Sequence, residues 1–188
     1  MKKLTYSSLV LFALAGAVMI GCKGKEKLPK GETAVNIPCS GPDYFTNKNF
    51  FRANSMGESS DLVVSKKKGM DNARAELAAA IQSTVKTVTD NYVNSREFNN
   101  KEDLEERFEQ LNRTIVDQTL SGIKMIWSTI VLLSCKSFRT YVAIELSASD
   151  IVQKYTENLS KDQRLKIDYD YEKFKETFDK EMEKMGNK

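Results

Sequence analysis

The chain has 188 residues, 40% of them hydrophobic, a formal charge of +3 and no histidine. That length and composition suit one packed domain with an extended segment, and the near balance of charge gives no electrostatic footprint for nucleic acid. Without histidine the chain lacks the commonest general base, the Ser–His and Cys–His nucleophile pairs and most zinc sites.

Met1-Lys2-Lys3 is a basic start, and Leu9 to Ile20 is an apolar run, shorter than the ~20 residues that a spanning helix needs. A positive n-region, an apolar h-region and the small residue Gly21 describe an export signal. Cys22 follows directly. Met19-Ile20-Gly21-Cys22 resembles the lipobox of bacterial lipoproteins, which implies cleavage between Gly21 and Cys22 and lipid attachment on Cys22. The pattern implies three acyl chains there. Each buried methylene contributes about 0.8 kcal/mol, so three chains hold firmly where one is marginal. Lys23 stands where an aspartate would retain some lipoproteins at the inner membrane. It points to the outer membrane, with the domain in the periplasm. Lys23 to Asn36 alternates lysine with Gly24, Glu26, Pro29 and Gly31 and reads as a tether reaching about 20 Å.

With Cys22 lipidated, Cys39 and Cys135 are an even pair in an oxidising compartment. A bridge between them would close a long loop and contribute up to about 4–5 kcal/mol in the chain-entropy model. Two buried free thiols are the other reading. Ile37 to Pro42 is turn-rich and opens the folded part.

Phe45 to Ser55 reads as the first strand, ended by Gly57, with Ser59 or Ser60 capping a helix that carries Asp61 in its first turn. Leu62, Gly69, Ala73, Leu77, Ala80, Ile81, Val85, Val88 and Tyr92 fall at three- and four-residue steps, an amphipathic stripe. Asn100 to Asp103 predicts a second capped start. Leu104, Phe108, Leu111 and Ile115 follow as its stripe, ending near Ser121-Gly122. From Ile123 the composition turns β-rich, with Trp127 read as a sheet-core residue. Ser134 to Ser137 predicts a hairpin turn with Cys135 at its tip, and Val142, Ile144 and Leu146 share one face of the returning strand. A third helical region begins at Ser149-Asp150. A terminal one carries Phe174, Phe178, Met182 and Met185, either packed on its own domain or free to dock on a partner.

The predicted class is α+β: one domain, an antiparallel three-stranded sheet packed by helices in the order β-α-α-β-β-α, with a long C-terminal helical tail. The expected divisions are a signal peptide (1–21), a lipidated N-terminus and tether (22–36), an α/β domain (37–148) and a helical region (149–188). Phe51-Arg52-Ala53, Gly57-Glu58-Ser59, Ala73 to Ala78 and Tyr141 to Ile144 together resemble the Lpp-twenty-like family of small outer-envelope lipoproteins, over roughly Phe50 to Ser147. The whole chain is similar to envelope lipoproteins of the Bacteroides type. The resemblance implies a location and a fold, and no activity.

The functional expectation is therefore a non-enzymatic, membrane-anchored binding or assembly module. Lipid on Cys22 attaches it to the membrane, its partner is an envelope protein or a second copy, and no catalytic residue, metal or cofactor is assigned. One alternative is a hydrolase of cell wall or polysaccharide, which needs two carboxylates about 5–9 Å apart. Glu58 and Asp61 are near each other in sequence, although Asp61 reads better as first-turn charge. The other is a hydrophobic-ligand carrier with a cavity between first helix and sheet, against which the small residues Gly69, Ala73 and Ala80 argue.

Overall fold

The computed structural model describes Pro29 and residues 31–95, 101–161 and 170–186. The predicted signal, the lipobox with Cys22, the first part of the tether and Asn100 lie outside these residues. The chain divides into two compact units, Met1–Asn36 and Ile37–Lys188. In the first, the described residues are exposed, with Gly31 at φ +96° in a turn where the Glu32 N–H donates to the Pro29 carbonyl.

The second unit is α+β, with a three-stranded antiparallel sheet. In chain order it runs β1 (Phe50–Ser59), α1 (Leu62–Asn94), α2 (Lys101–Thr119), β2 (Lys124–Leu132), β3 (Phe138–Ser147), α3 (Ala148–Leu159) and α4 (Tyr171–Gly186). The sheet order is β1-β3-β2. β3 is central, pairing Phe51 with Leu146 and Gly57 with Thr140 on one side, and Thr129 with Tyr141 on the other.

Two sequence-based boundaries move. Residues 42–44 form a short 3-10 turn, and the strand begins only at Phe50, because Asn47 closes a turn by accepting the Asn49 and Phe50 N–H groups on its side chain. Gly57 does not end the strand; it lies inside it. The cap of α1 is Asp61, whose carboxylate accepts the Val64 N–H at 2.9 Å. Neither Ser59 nor Ser60 takes that role. Asp61 removes one unsatisfied donor and places negative charge at the positive end of the helix dipole.

α1 has 33 residues, about 50 Å of helix, whereas a ten-residue strand such as β1 spans about 33 Å. The helix therefore overshoots the sheet. Its buried stripe changes character along its length: Ser65, Gly69 and Ala73 come first, Leu77 and Ile81 next, and Tyr92 and Val93 last. The small end meets β1 and β3; the large end meets α2 and α4. There the ring of Tyr92 meets Phe108 of α2 (6.1 Å between centroids) and Phe174 of α4 (5.7 Å), both edge-on, the geometry that ring quadrupoles favour. Phe174 in turn lies 4.9 Å from Tyr155 of α3. Phe174, Phe178 and Met182 are buried, so α4 is a sixteen-residue helix packed on its own domain. Its start is held by Asp170, whose side chain accepts the Lys173 N–H and whose own N–H donates to the Tyr92 hydroxyl.

The tightest contact is at the small end. A Cβ added to Gly57 would lie 2.3 Å from the Gly69 nitrogen and 2.5 Å from the Ser65 carbonyl oxygen. These are backbone atoms, which cannot swing aside. Beside them the buried Ser65 hydroxyl donates to the Gly57 carbonyl at 2.9 Å and shares a 2.8 Å hydrogen bond with Thr140 Oγ1. We predict that Gly57→Ala, by prising α1 from β1, destabilises the protein by about 3 kcal/mol. Gly41→Ala, where no atom lies within 4 Å of the new Cβ, should stay within about 0.5 kcal/mol of wild type. The urea midpoints of the two variants check this.

Candidate interaction surface

The β2–β3 hairpin closes through Leu133, whose N–H donates to the Ser137 carbonyl and whose carbonyl accepts from Lys136. Lys136 takes the left-handed conformation (φ +59°) that this three-residue loop requires. The closure fixes the direction of every main-chain group in β2. Hydrogen-bonding direction alternates along a strand, so Thr129 and Val131 face β3, while Ser128, Ile130 and Leu132 turn their N–H and C=O groups to the open edge.

The register also places side chains. Ile130 sits opposite Thr140 and Leu132 opposite Phe138, on the helix-covered side of the sheet, yet α1 lies over β1 and β3. Ile130 is accordingly 40% exposed, Leu132 67% and Met125 54%. A bulge between Met125 and Trp127 terminates the flat part of the edge. Trp127 is only half-buried, on the opposite side of the sheet, where the Tyr44 ring meets it edge-on at 6.2 Å; it is not a core residue.

The other edge of the sheet is closed. Thr46 Oγ1 accepts the Arg52 N–H and donates to the Arg52 carbonyl, Asn72 donates to the Met56 carbonyl and Lys68 to that of Glu58. Among the described residues no side chain satisfies the outward groups of β2 in this way. The two edges of one sheet are thus treated oppositely: β1 is blocked and β2 is open.

At the hairpin end, Glu58 and Arg139, opposite each other in the β1–β3 register, form an ion pair at 2.7 Å. Hydrogen bonds from Arg139 and from Ser137 hold the Glu58 carboxyl below the usual carboxylate range. With Asp61 capping α1, both carboxylates considered for hydrolysis already have structural partners. Cys135 sits exposed at the tip, as expected, its thiol 3.0 Å from the Ser137 hydroxyl, and that hydrogen bond lowers its pKa. Cys39 is buried, and desolvation raises its pKa. The structure holds both as free thiols. Arg52, near the start of β1, pins the chain just after Cys39 by donating to the Asp43 carbonyl, whereas the hairpin tip adjoins Ser59, at the far end of the strand.

A cleft of about 660 Å³ lies between α1 and α2, lined by Lys86, Asp90, Glu105, Glu109, Asn112 and Arg113. At its base the buried Asn112 donates to Thr89 Oγ1 at 3.1 Å, leaving its Oδ1 buried without a partner. Among the described residues no group of three or more histidines, cysteines or carboxylates could hold a metal ion, and no helix is long and apolar enough to cross a membrane. Neither the protein-family models nor the curated proteins contain a match to the chain. The likeness to the Lpp-twenty-like family therefore rests on the motifs themselves.

The sequence pattern located β2 but not its openness. In a strand of nine residues whose single charge is Lys124, nothing local marks an edge.

Two measurements follow from these sites. In the reduced, folded protein, iodoacetamide at pH 7 should label Cys135 well before Cys39, since the thiolate is the nucleophile and Cys135 is both exposed and acidified. Ser137→Ala should raise the Cys135 pKa and slow that labelling, and peptide mapping would read both effects. Asn112→Leu keeps the branched side-chain shape, removes the unsatisfied Oδ1 and should stabilise the protein by about 1 kcal/mol, read as a higher urea midpoint.

Proposed function

We propose that this protein is a non-enzymatic lipoprotein of the bacterial envelope, anchored in the outer membrane through lipid on Cys22, whose periplasmic α+β domain serves as a binding or assembly module. The lipobox-like Met19–Cys22 and the Lpp-twenty-like motifs support the location. The observation that carries the binding role is β2, where exposed apolar side chains and open main-chain groups occupy the same residues of one edge. Folded proteins ordinarily protect such an edge with charge, proline or a covering element, as this one does on β1.

Two observations weigh against the competing readings. Hydrolysis would need carboxylates free to act, and Glu58 and Asp61 are committed to Arg139 and to the α1 cap. A carrier would need space between α1 and the sheet, where Gly57 and Gly69 bring the two backbones together. In this reading the C-terminal helices complete the domain by covering the overshooting end of α1.

The test is the intact mass of the membrane-extracted protein, with and without reductant and alkylation. The expected mass is that of a chain beginning at Cys22 and carrying acyl chains; an unlipidated mass would sink the anchor. The same spectra decide whether Cys39 and Cys135 are bridged in the envelope, because a bridged pair takes up alkylating agent only after reduction.

A further inference from the structure

Resting on the reading of this domain as an assembly module, the open edge sets the conditions its partner must meet. β2 presents a strip bounded at one end by the bulge at Met125/Trp127 and at the other by the hairpin turn after Leu132. Within the strip there is no charge and no proline. A partner strand must match an uncharged, β-branched segment with outward hydrogen-bonding groups on Ser128, Ile130 and Leu132. A second copy of β2 meets each condition.

We infer that two copies of this chain pair antiparallel through β2, about a two-fold axis at Thr129, to form a continuous six-stranded sheet. The register follows from the groups already described. Antiparallel pairs exchange hydrogen bonds only between residues whose main-chain groups face each other. An axis at Ile130 would meet that rule too, but would set Trp127 against Leu133, beyond the strand; the axis at Thr129 sets Ser128 against Ile130 of the other copy, and Ile130 against its Ser128, and keeps residues 127–131 paired within β2. Thr129 then faces its own counterpart in a pair without main-chain bonds. On the outer side Trp127 opposes Val131, an aromatic–β-branched pair of the kind that stabilises sheets. On the helix side Leu132 reaches the bulge at Ile126, where the regular pairing ends. No like charges face each other, because Lys124 falls beyond the paired stretch. The interface is isologous and closes on itself, giving a dimer rather than a filament, and β1, blocked by Thr46, Lys68 and Asn72, cannot extend the sheet further.

The test uses the full-length protein in detergent. Sedimentation should show a dimer at micromolar concentration, and Ile130→Lys and Leu132→Lys should each weaken it about tenfold or more while leaving the thermal unfolding transition intact, since α1 covers neither side chain and both are exposed. Thr129→Cys should form an intermolecular disulfide between the two introduced thiols on mild oxidation. Non-hydrogen-bonded antiparallel pairs place their Cβ atoms close enough for such a bridge. A protein that stays monomeric at about 100 µM, or a dimer indifferent to both lysine variants, overturns the inference. A photo-crosslinker at Leu132 in intact envelopes separates this failure from failure of the broader reading. Adducts only to a different protein would exclude self-pairing yet leave a binding module, whereas no adduct at all would remove both. The intact-mass test of the anchor is independent of every one of these outcomes.

Discussion

At Gly57 a strand and a helix meet through their backbones. A strand normally lies about 10 Å from whatever packs on it because side chains keep the layers apart. Here Gly57 and Gly69 remove that spacer, and the Ser65 hydroxyl fills the remaining space while binding the Gly57 carbonyl and Thr140. The rest of the architecture is consistent with this contact. Because α1 is drawn down onto β1 and β3 at its start, its far end projects past the sheet, and Tyr92 must find cover elsewhere. α2, α3 and α4 supply that cover with Phe108, Tyr155 and Phe174.

The same contact explains why the sheet is unevenly clothed. A single long helix seated on β1 and β3 cannot also reach across β2, and α2 and α4 are occupied at the other end of α1. The hydrophobic effect would favour covering Ile130 and Leu132, but no element of the described domain is placed to do it. The apolar character of β2 is therefore not spent on the core.

Much of this was legible from the residues. The stripe of α1 from Gly69 onward, the stripe of α2, the hairpin and the buried face of α4 all follow from spacing, because each depends on short-range periodicity; Leu62, read into the α1 stripe, is exposed, and Ser65 takes the buried position. Gly57 misled: Gly-Glu-Ser-Ser looks like a turn, yet a glycine inside a strand can equally mark close approach of another backbone, and only the partner Gly69, twelve residues on, decides between them. Cys39 and Cys135 form an even pair by count, but their positions relative to each other depend on how the segment before β1 crosses the sheet. Whether β2 is an edge depends on sheet order, which no local pattern encodes. The open surface lay in the part of the fold that periodicity does not reach.

The central position of β3 has a kinetic consequence. β2 and β3 are joined by a short turn, and the helices are local, so these elements can form soon after their residues are available. β1 is different: Arg52 meets Glu145 across 93 positions of chain, and the entropy of closing that loop must be met before its first cross-strand contact is rewarded. Until β1 docks, β3 is itself an edge, and the nascent hairpin exposes two unpaired sides instead of one. The arrival of β1, brought in by α1 through the Gly57–Gly69 contact, is thus the step that shields the hairpin, and slow closure there lengthens the interval in which the chain is open to misassociation.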